Sequence, residues 1–366
     1  MSRLAPALFD GSRLTLARIY RGLRKVDLAK AIEVTPAAVS QYEKGRTRPS
    51  ESVLAAVALH LSFPPSFFER GRPLHSVTEG QAHFRRLRST SKLDRERLLA
   101  RLSLLAEVIA EVERHVSLPA VAIPHIPGDG DDDGIAAERA AADVRQRWGL
   151  GSGPIQHVVR LIEGKGVIVV RPVVETHDVD AFSTVVGGRP VVVLASDKQD
   201  AARSRVDAAH ELGHLVMHHD AEPGRQSVER EAQRFAAAFL LPRDPMLAEL
   251  PRLMNWEGYH ALKQRWRVSL AALLFRARTL GVLGPDAYQR AQMHMSAHGW
   301  REQEPGNIGE PEEPTVLQKA LALMESKRGV AAADVAGVVH LFTTDFESLL
   351  ADFASDVFPR PRLKVI

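Results

Sequence analysis

Two histidines four residues apart, with a glutamate directly after the first, stand at His210-Glu211-Leu212-Gly213-His214. In a helix this spacing puts His210 and His214 one turn apart on a single face, where both imidazoles can reach one ion. Glu211 then projects beside the pair, where a carboxylate can take a proton from a water that the ion polarises. Zinc suits such a set, one ion per chain, with another divalent metal as the alternative. A zinc ion there would polarise a peptide carbonyl, so hydrolysis would need no covalent nucleophile. The 366 residues contain no cysteine, which excludes disulfides, thiol nucleophiles and thiolate ligands and leaves a metal to histidine and carboxylate.

A third ligand is required, and the segment SVEREAQRFAAAFLL at 227–241 reads as a helix with Val228, Ala232, Phe235 and Phe239 as its apolar stripe. Glu231 precedes Phe235 by one turn and flanks that stripe, while Glu229 lies further round, so the pattern favours Glu231 over Glu229 as ligand. A carboxylate pointing inward is costly unless paired, and a metal would pair it. The competing reading for either is a solvated glutamate, which the neighbours Arg230 and Arg234 suggest. His218 and His219 follow one turn past the pair. His218 is a candidate for orienting a ligand or stabilising the transition state, against the plainer reading of a structural histidine at a helix end. His177, Tyr259 and His260 are further candidates for a transition-state donor, and the sequence does not choose among them.

These residues need elements to hold them. Helical patterns cover Gly11–Arg21, Val26–Ile32, Thr35–Lys44 and Ser50–Leu61, punctuated by Thr35-Pro36, Gly45 and Pro49. A long amphipathic helix is expected over 91–117, then a turn-rich acidic stretch at 123–134, then helices to about Trp148 and over 154–164. The β-branched runs GVIVVRP and RPVVVLAS, with DAFSTVV between them, predict a small antiparallel sheet. Helix resumes from about Asp200 to His218 and from about Ser227 to Leu241. The class is therefore mainly α with a small sheet, α+β. Expected domains are 1–72, a helical bundle; 73–120, a helical linker; 121–300, the unit carrying the histidines; and 301–366, a helical region for oligomerisation or sensing. No apolar run is long enough for a membrane span and no secretory leader is evident, so a cytoplasmic location without membrane association is expected.

Charge is uneven. Residues 1–50 hold ten Lys or Arg against four Asp or Glu, and a second basic run extends from Arg85 to Arg101, a balance that suits a polyanion partner as well as an ordinary solvated surface. The run from His83 to Thr90 alternates Phe84 and Leu87 with arginines and reads as an interdomain cap rather than a nucleic-acid arm. The segment LAKAIEVTPAAVSQYEKGRTRPS at 28–50 resembles the helix-turn-helix of the Xre/Cro-repressor family over about fifty residues. Ala29 supplies the small contact, and Ile32, Val39 and Tyr42 the apolar face locking two helices together. Thr35, Ala37, Ala38, Ser40, Gln41 and Lys44 are then left facing a groove of double-stranded DNA. Gln41 can pair with adenine, Ser40 or Thr35 can take phosphate or base edges, and Arg46 and Arg48 are better placed for phosphates. A bundle that binds protein partners is the alternative.

Residues 181–243 resemble the ImmA/IrrE family of zinc metallopeptidases, through DAFSTVVGGRPVVVLASDK, RSRVDAAHELGHLVMHH and VEREAQRFAAAFLLPRD. The resemblance implies zinc on His210, His214 and Glu231, with Glu211 as general base. It departs at Gln233, where the family often has asparagine. It also implies a function: a transcriptional regulator that cleaves itself or a partner repressor, with the segment at 124–134 as a candidate cut site, acting as a homodimer on paired half-sites. The alternative is a non-catalytic repressor that uses the peptidase fold as a ligand receptor.

Overall fold

The computed structural model describes residues 8–71, 91–128, 134–171, 181–195, 200–219 and 225–351. The run from His83 to Thr90 and His177 lie outside the described residues. Four short helices come first: α1 (Gly11–Tyr20), α2 (Lys25–Ala31), α3 (Pro36–Glu43) and α4 (Glu51–Leu61). A long α5 (Lys92–His115) precedes α6 (Ile135–Arg147), α7 (Val158–Glu163) and the strands β1 (Ile168–Val170), β2 (Phe182–Val186) and β3 (Arg189–Val193). Then follow α8 (Ala201–Met217), α9 (Gln226–Leu240), α10 (Arg243–Glu249), α11 (Trp256–Trp266), α12 (Leu270–Thr279), α13 (Pro285–Ala297), α14 (Val316–Arg328), α15 (Ala332–Val338) and α16 (Thr343–Leu350). Among the described residues no helix is long and apolar enough to cross a membrane.

Helix starts follow local chemistry. Asp10, Thr35, Ser50, Ser91, Asp200, Asn255 and Ser269 each accept a backbone N–H of the first turn they precede, satisfying donors that have no partner within the helix. Gly187 and Gly188, at φ +58° and +85°, make the two-residue turn between β2 and β3, a backbone that side-chain-bearing residues rarely adopt. The sheet order is β1-β3-β2. Its β2–β3 pairing is antiparallel, as expected, but β1 pairs with β3 in parallel, so the sheet is mixed. The cause is topological: β3 returns from the Gly187–Gly188 turn between its two partners and runs in the same direction as β1.

That sheet is the wall between two cores. Ile168, Val170, Val191 and Val193 face one, with Leu98, Leu102, Leu105 and Ile109 of α5, the apolar side chains of α1–α4, and those of α14–α16. Val167, Val169, Val192 and Leu194 face the other, built from α6 to α9 and α11 to α13. Successive strand residues point to opposite faces, and both faces are apolar, so the strands read as continuous β-branched runs. The long α5, expected as part of a linker, is the axis of the first core and packs on α1, α14, α15 and β2.

The Pro/Glu/Gly-rich stretch EQEPGNIGEPEEP at 302–314, a connector by its composition, is strapped down together with the start of α14 by charged side chains. Glu304 accepts from Lys263 Nζ at 2.8 Å and from the Leu270 and Ala271 amides at the start of α12. Glu312 pairs with the buried Arg205, and Glu163 accepts from the Thr315 and Val316 amides at 3.0 Å. Beyond the strap, Asp345 of α16 takes both guanidinium nitrogens of Arg21 at 2.6 Å, tying the tail to the first bundle.

Helix α8 crosses α9 at Gly213. A Cβ there would stand 3.0 Å from the Phe235 ring and 3.3 Å from the Ala232 backbone, a tighter fit than ordinary packing, so a side chain here would push the two helices apart by a few tenths of an ångström. The approach matters because α9 carries the two glutamates considered as ligands.

Candidate metal centre and nucleic-acid interface

Helix α8 presents His210 and His214 one turn apart, with their Nε2 atoms 3.1 Å from each other. Across the α8–α9 crossing, Glu229 stands with Oε2 3.5 Å from His210 Nε2 and Oε1 3.8 Å from His214 Nε2. Glu231 goes elsewhere: its Oε2 lies 2.9 Å from His218 Nε2. The residue favoured from the sequence as third ligand therefore sits one imidazole removed from the pair, and the one thought to lie further round faces it. Both glutamates are buried, so both face inward and helical phase alone does not separate them.

His218 links Glu231 to the pair. Its Nδ1 is 3.1 Å from His214 Nδ1. Burial holds His218 below the usual imidazole range, which leaves a neutral ring with one N–H. Assigned from its partners, that N–H is on Nε2 and donates to the Glu231 carboxylate, so Nδ1 accepts from His214 Nδ1–H. The chain of bonds leaves His214 Nε2 as a bare lone pair directed towards His210 and Glu229. A ligating histidine is held in this way when its second nitrogen is bound.

Glu211 is 3 % exposed. Burial pushes its carboxyl up to about 7, against the opposing pull of His210 and the Ser183 hydroxyl. Neither Glu211 Oε2 nor Ser183 Oγ makes a hydrogen bond of ordinary geometry, although both are buried. Ser183 is paired in register with Val192 on the face of the sheet that looks towards α8. Sequence reasoning did not single it out. The signal was a hydroxyl at an inward position of a β-branched run.

The remaining candidates lie apart from this cluster. Tyr259 is fully buried in the second core, its hydroxyl without a hydrogen-bond partner and pushed up to about 12 by burial. His260 packs edge-on to Trp300 at 5.7 Å, and His219 packs against His125 at 5.7 Å. None of the described contacts joins Tyr259, His260 or His219 to the imidazole pair.

In the first bundle, Ala29 and Val39 are buried, Ile32 is 5 % exposed and Tyr42 is half-buried. Glu43 at the end of α3 is held by Arg18 of α1 at 2.6 Å and by Lys25 of α2 at 3.0 Å, which fixes the angle between the helices. Thr35 caps α3, its hydroxyl oxygen accepting from the Ala38 amide at 3.1 Å. Ala37, Gln41 and Lys44 are exposed and Ala38 and Ser40 half-buried along one side of α3 and its C-cap, and Arg46 and Arg48, just beyond the helix, are exposed.

Comparison with family models matches residues 162–278 to the peptidase-family IrrE N-terminal-like domain and residues 11–66 to a helix-turn-helix domain. This chain joins a helix-turn-helix domain to an IrrE-type peptidase-family domain. Among curated proteins no match was found. The IrrE-type domain contains every residue of the cluster, and a metallopeptidase family implies a metal. The donor set fits one. His210, Glu211 and His214 bring their ligand atoms within 4.8 Å of one another. The separations of 3.1 and 3.5 Å among the two ring nitrogens and Glu229 resemble the roughly 3.3 Å edge of a tetrahedron with zinc-like bond lengths. A buried carboxylate oxygen without a partner at Glu211 is the further sign of a polar group missing from that space.

Two measurements follow from this geometry. Titrating zinc into chelator-stripped protein, Glu229→Ala should lose more affinity than Glu231→Gln or His218→Ala, for which the loss should be about 10- to 100-fold, the usual effect of removing a partner behind a ligand. A larger loss in Glu231→Gln than in Glu229→Ala would restore Glu231 as the ligand.

The second concerns stability without metal. A carboxyl whose folded pKa, about 7, lies above its ordinary value of 4.5 stabilises the fold in its protonated form, so stability falls as pH rises between those values and levels off above. Glu211→Gln removes this slope. In chelator its melting temperature should gain on wild type from pH 5 to pH 8, by the equivalent of on the order of 3 kcal/mol. Parallel melting curves over that range would mean that Glu211 is ionised in the folded protein.

Proposed function

We propose that this chain is a DNA-binding regulator whose IrrE-type domain is a zinc-dependent endopeptidase, cleaving itself or a partner repressor in response to a signal. The observation that carries the reading is the meeting of two imidazole nitrogens and the Glu229 carboxylate beside a buried Glu211. In this reading His210, His214 and Glu229 hold the ion. Zinc, once bound, supplies a Lewis acid that polarises the scissile carbonyl and acidifies the attacking water.

The chain's own residues do the rest. Glu211 takes the proton from the attacking water and delivers it to the departing amine, two transfers that one positioned carboxylate can make. Glu231 and His218 keep His214 in the tautomer that offers Nε2. Sequestering these groups from bulk water strengthens each electrostatic contact among them. His210 is only half-buried, which leaves the pair accessible from one side.

The segment at 124–134 is the first place to look for a cut within the chain. Its described part runs along the end of α8, with the Ile126 amide donating to Val216 O at 2.9 Å and the Gly128 amide to Met217 O at 3.3 Å. On the DNA side, α3 acts as the reading helix, with Ala37, Ala38, Ser40, Gln41 and Lys44 towards base edges and Arg46 on phosphate. Thr35, whose oxygen accepts in the cap, keeps its O–H to donate to a phosphate or base edge. A homodimer on paired half-sites in the cytoplasm fits a reader of this size.

Full-length protein incubated with zinc, alone and with a repressor encoded beside it, should give defined fragments by mass spectrometry, and Glu211→Gln should give none. If wild type and variant leave both proteins intact, the hydrolytic reading fails, and the domain is a metal-binding receptor.

DNA reading is checked separately by mobility shift on the protein's own promoter. Gln41→Ala should cost about 1–3 kcal/mol of sequence-specific affinity. Arg46→Ala should weaken all sequences alike and reduce the salt slope by about one. Binding indifferent to both substitutions would mean that α3 is not the reading helix.

A further inference from the structure

A cavity of about 560 Å³ lies where α6, α9, α10 and α12 converge. Four arginines from four different helices line it: Arg139, Arg234, Arg243 and Arg278. The carboxylate in its wall, Glu138, is already bound to both guanidinium nitrogens of the buried Arg276. Among the described residues none of the four lining arginines has an ion-pair partner.

Four like charges facing one concavity repel one another, and in a concave site their field is focused rather than dispersed. The fold adds to that field. Helix α6 begins at the cavity, so the positive end of its dipole lies beside the arginines. Gly134 also has a positive φ, and the half-buried Arg234 guanidinium occupies the space its Cβ would need, so this arginine is seated against the start of α6. Phe275, half-buried, gives the cavity one apolar wall.

We infer that this cavity binds a phosphorylated small molecule of nucleotide size, its phosphates bridged by Arg139, Arg234, Arg243 and Arg278 and its ring against Phe275. Guanidinium groups meet phosphate through paired N–H donors, and several converging from different directions suit two linked phosphates better than one carboxylate. The volume is within the range of small-molecule sites. Arg234 lies on the same helix as Glu229 and Glu231, so a ligand held there acts on the element that completes the imidazole cluster. The inference stands whether or not that cluster hydrolyses peptides.

Calorimetric titration of the full chain with inorganic pyrophosphate and, separately, with ADP tests it. Pyrophosphate binding at one site per chain, tighter for ADP, is expected. Arg139→Ala and Arg243→Ala, both at exposed positions, should each weaken it about tenfold or more, whereas Arg160→Ala on the exposed side of α7 should not. Equal binding of pyrophosphate and ADP would keep the phosphate site and remove Phe275 as the ring's wall. The inference is overturned by absence of binding at millimolar concentration, or by equal losses in all three variants. It is overturned too if binding appears only once Asp131, Asp132 and Asp133 are changed to Asn, since the chain's own acids would then be the arginines' partner.

Discussion

Helices α8 and α9 meet at a close contact over Gly213, and the chemistry of the second core depends on that contact. It draws Glu229 towards His210 and His214 and puts Glu231 within reach of His218, so six ionisable groups, Glu211 included, share one largely buried region. Such a concentration is unfavourable by itself. Each buried carboxylate loses its hydration, and an unpartnered one is driven towards its neutral form. The fold answers unequally. Glu231 has an imidazole N–H at 2.9 Å, and Glu229 has two imidazoles at longer range. Glu211 has an oxygen with no hydrogen bond of ordinary geometry, and its pKa is pushed up. The strain of burial is therefore gathered on one carboxyl, and a group held near neutrality can both accept and release a proton.

The sheet carries a different constraint. Because neighbouring residues of β1 and β3 point into different cores, the helix-turn-helix bundle and the imidazole–carboxylate cluster are built on opposite faces of the same three strands. Residues beyond 300 reinforce the arrangement from outside, with Glu304 and Glu312 buried against the second core and Asp345 bound to Arg21 of the first bundle. The Lys263–Glu304 and Arg205–Glu312 pairs are costly to break, since removing one partner leaves the other charge buried, commonly at about 3–5 kcal/mol. The tail is thus a clamp between the two functional halves.

Most elements were legible. Periodicity and cap chemistry mark α1 to α5, α8 and α9 to within a few residues, because amphipathic helices write their buried stripe directly into the sequence. The histidine pair was legible for the same reason: the i, i+4 relation is local. The choice between Glu229 and Glu231 was not. Both point into the core, and which of them meets His210 is set by the crossing of α9 over α8, a tertiary angle that no single-helix pattern contains. The mixed sheet escaped for a similar reason, since β-branched runs report burial on both faces but not strand direction. The strap at 302–314 looked like a linker because Pro, Gly and Glu are loop residues, and its glutamates become anchors only opposite Arg205 and Lys263, some forty to a hundred positions away.

The histidine at 218 shows how little separates a structural residue from a functional one. Read alone, it is an imidazole at a helix end, and its position as C-cap of α8 agrees. Yet it is 2 % exposed and bonded on both nitrogens, to Glu231 on one side and His214 on the other. Its structural role, satisfying a buried carboxylate, and its effect on His214, fixing which nitrogen carries the proton, are the same two hydrogen bonds. A metal ligand must present a lone pair, and in a neutral imidazole that is decided at the opposite nitrogen. The packing that stabilises the α8–α9 crossing thereby also prepares His214 to bind.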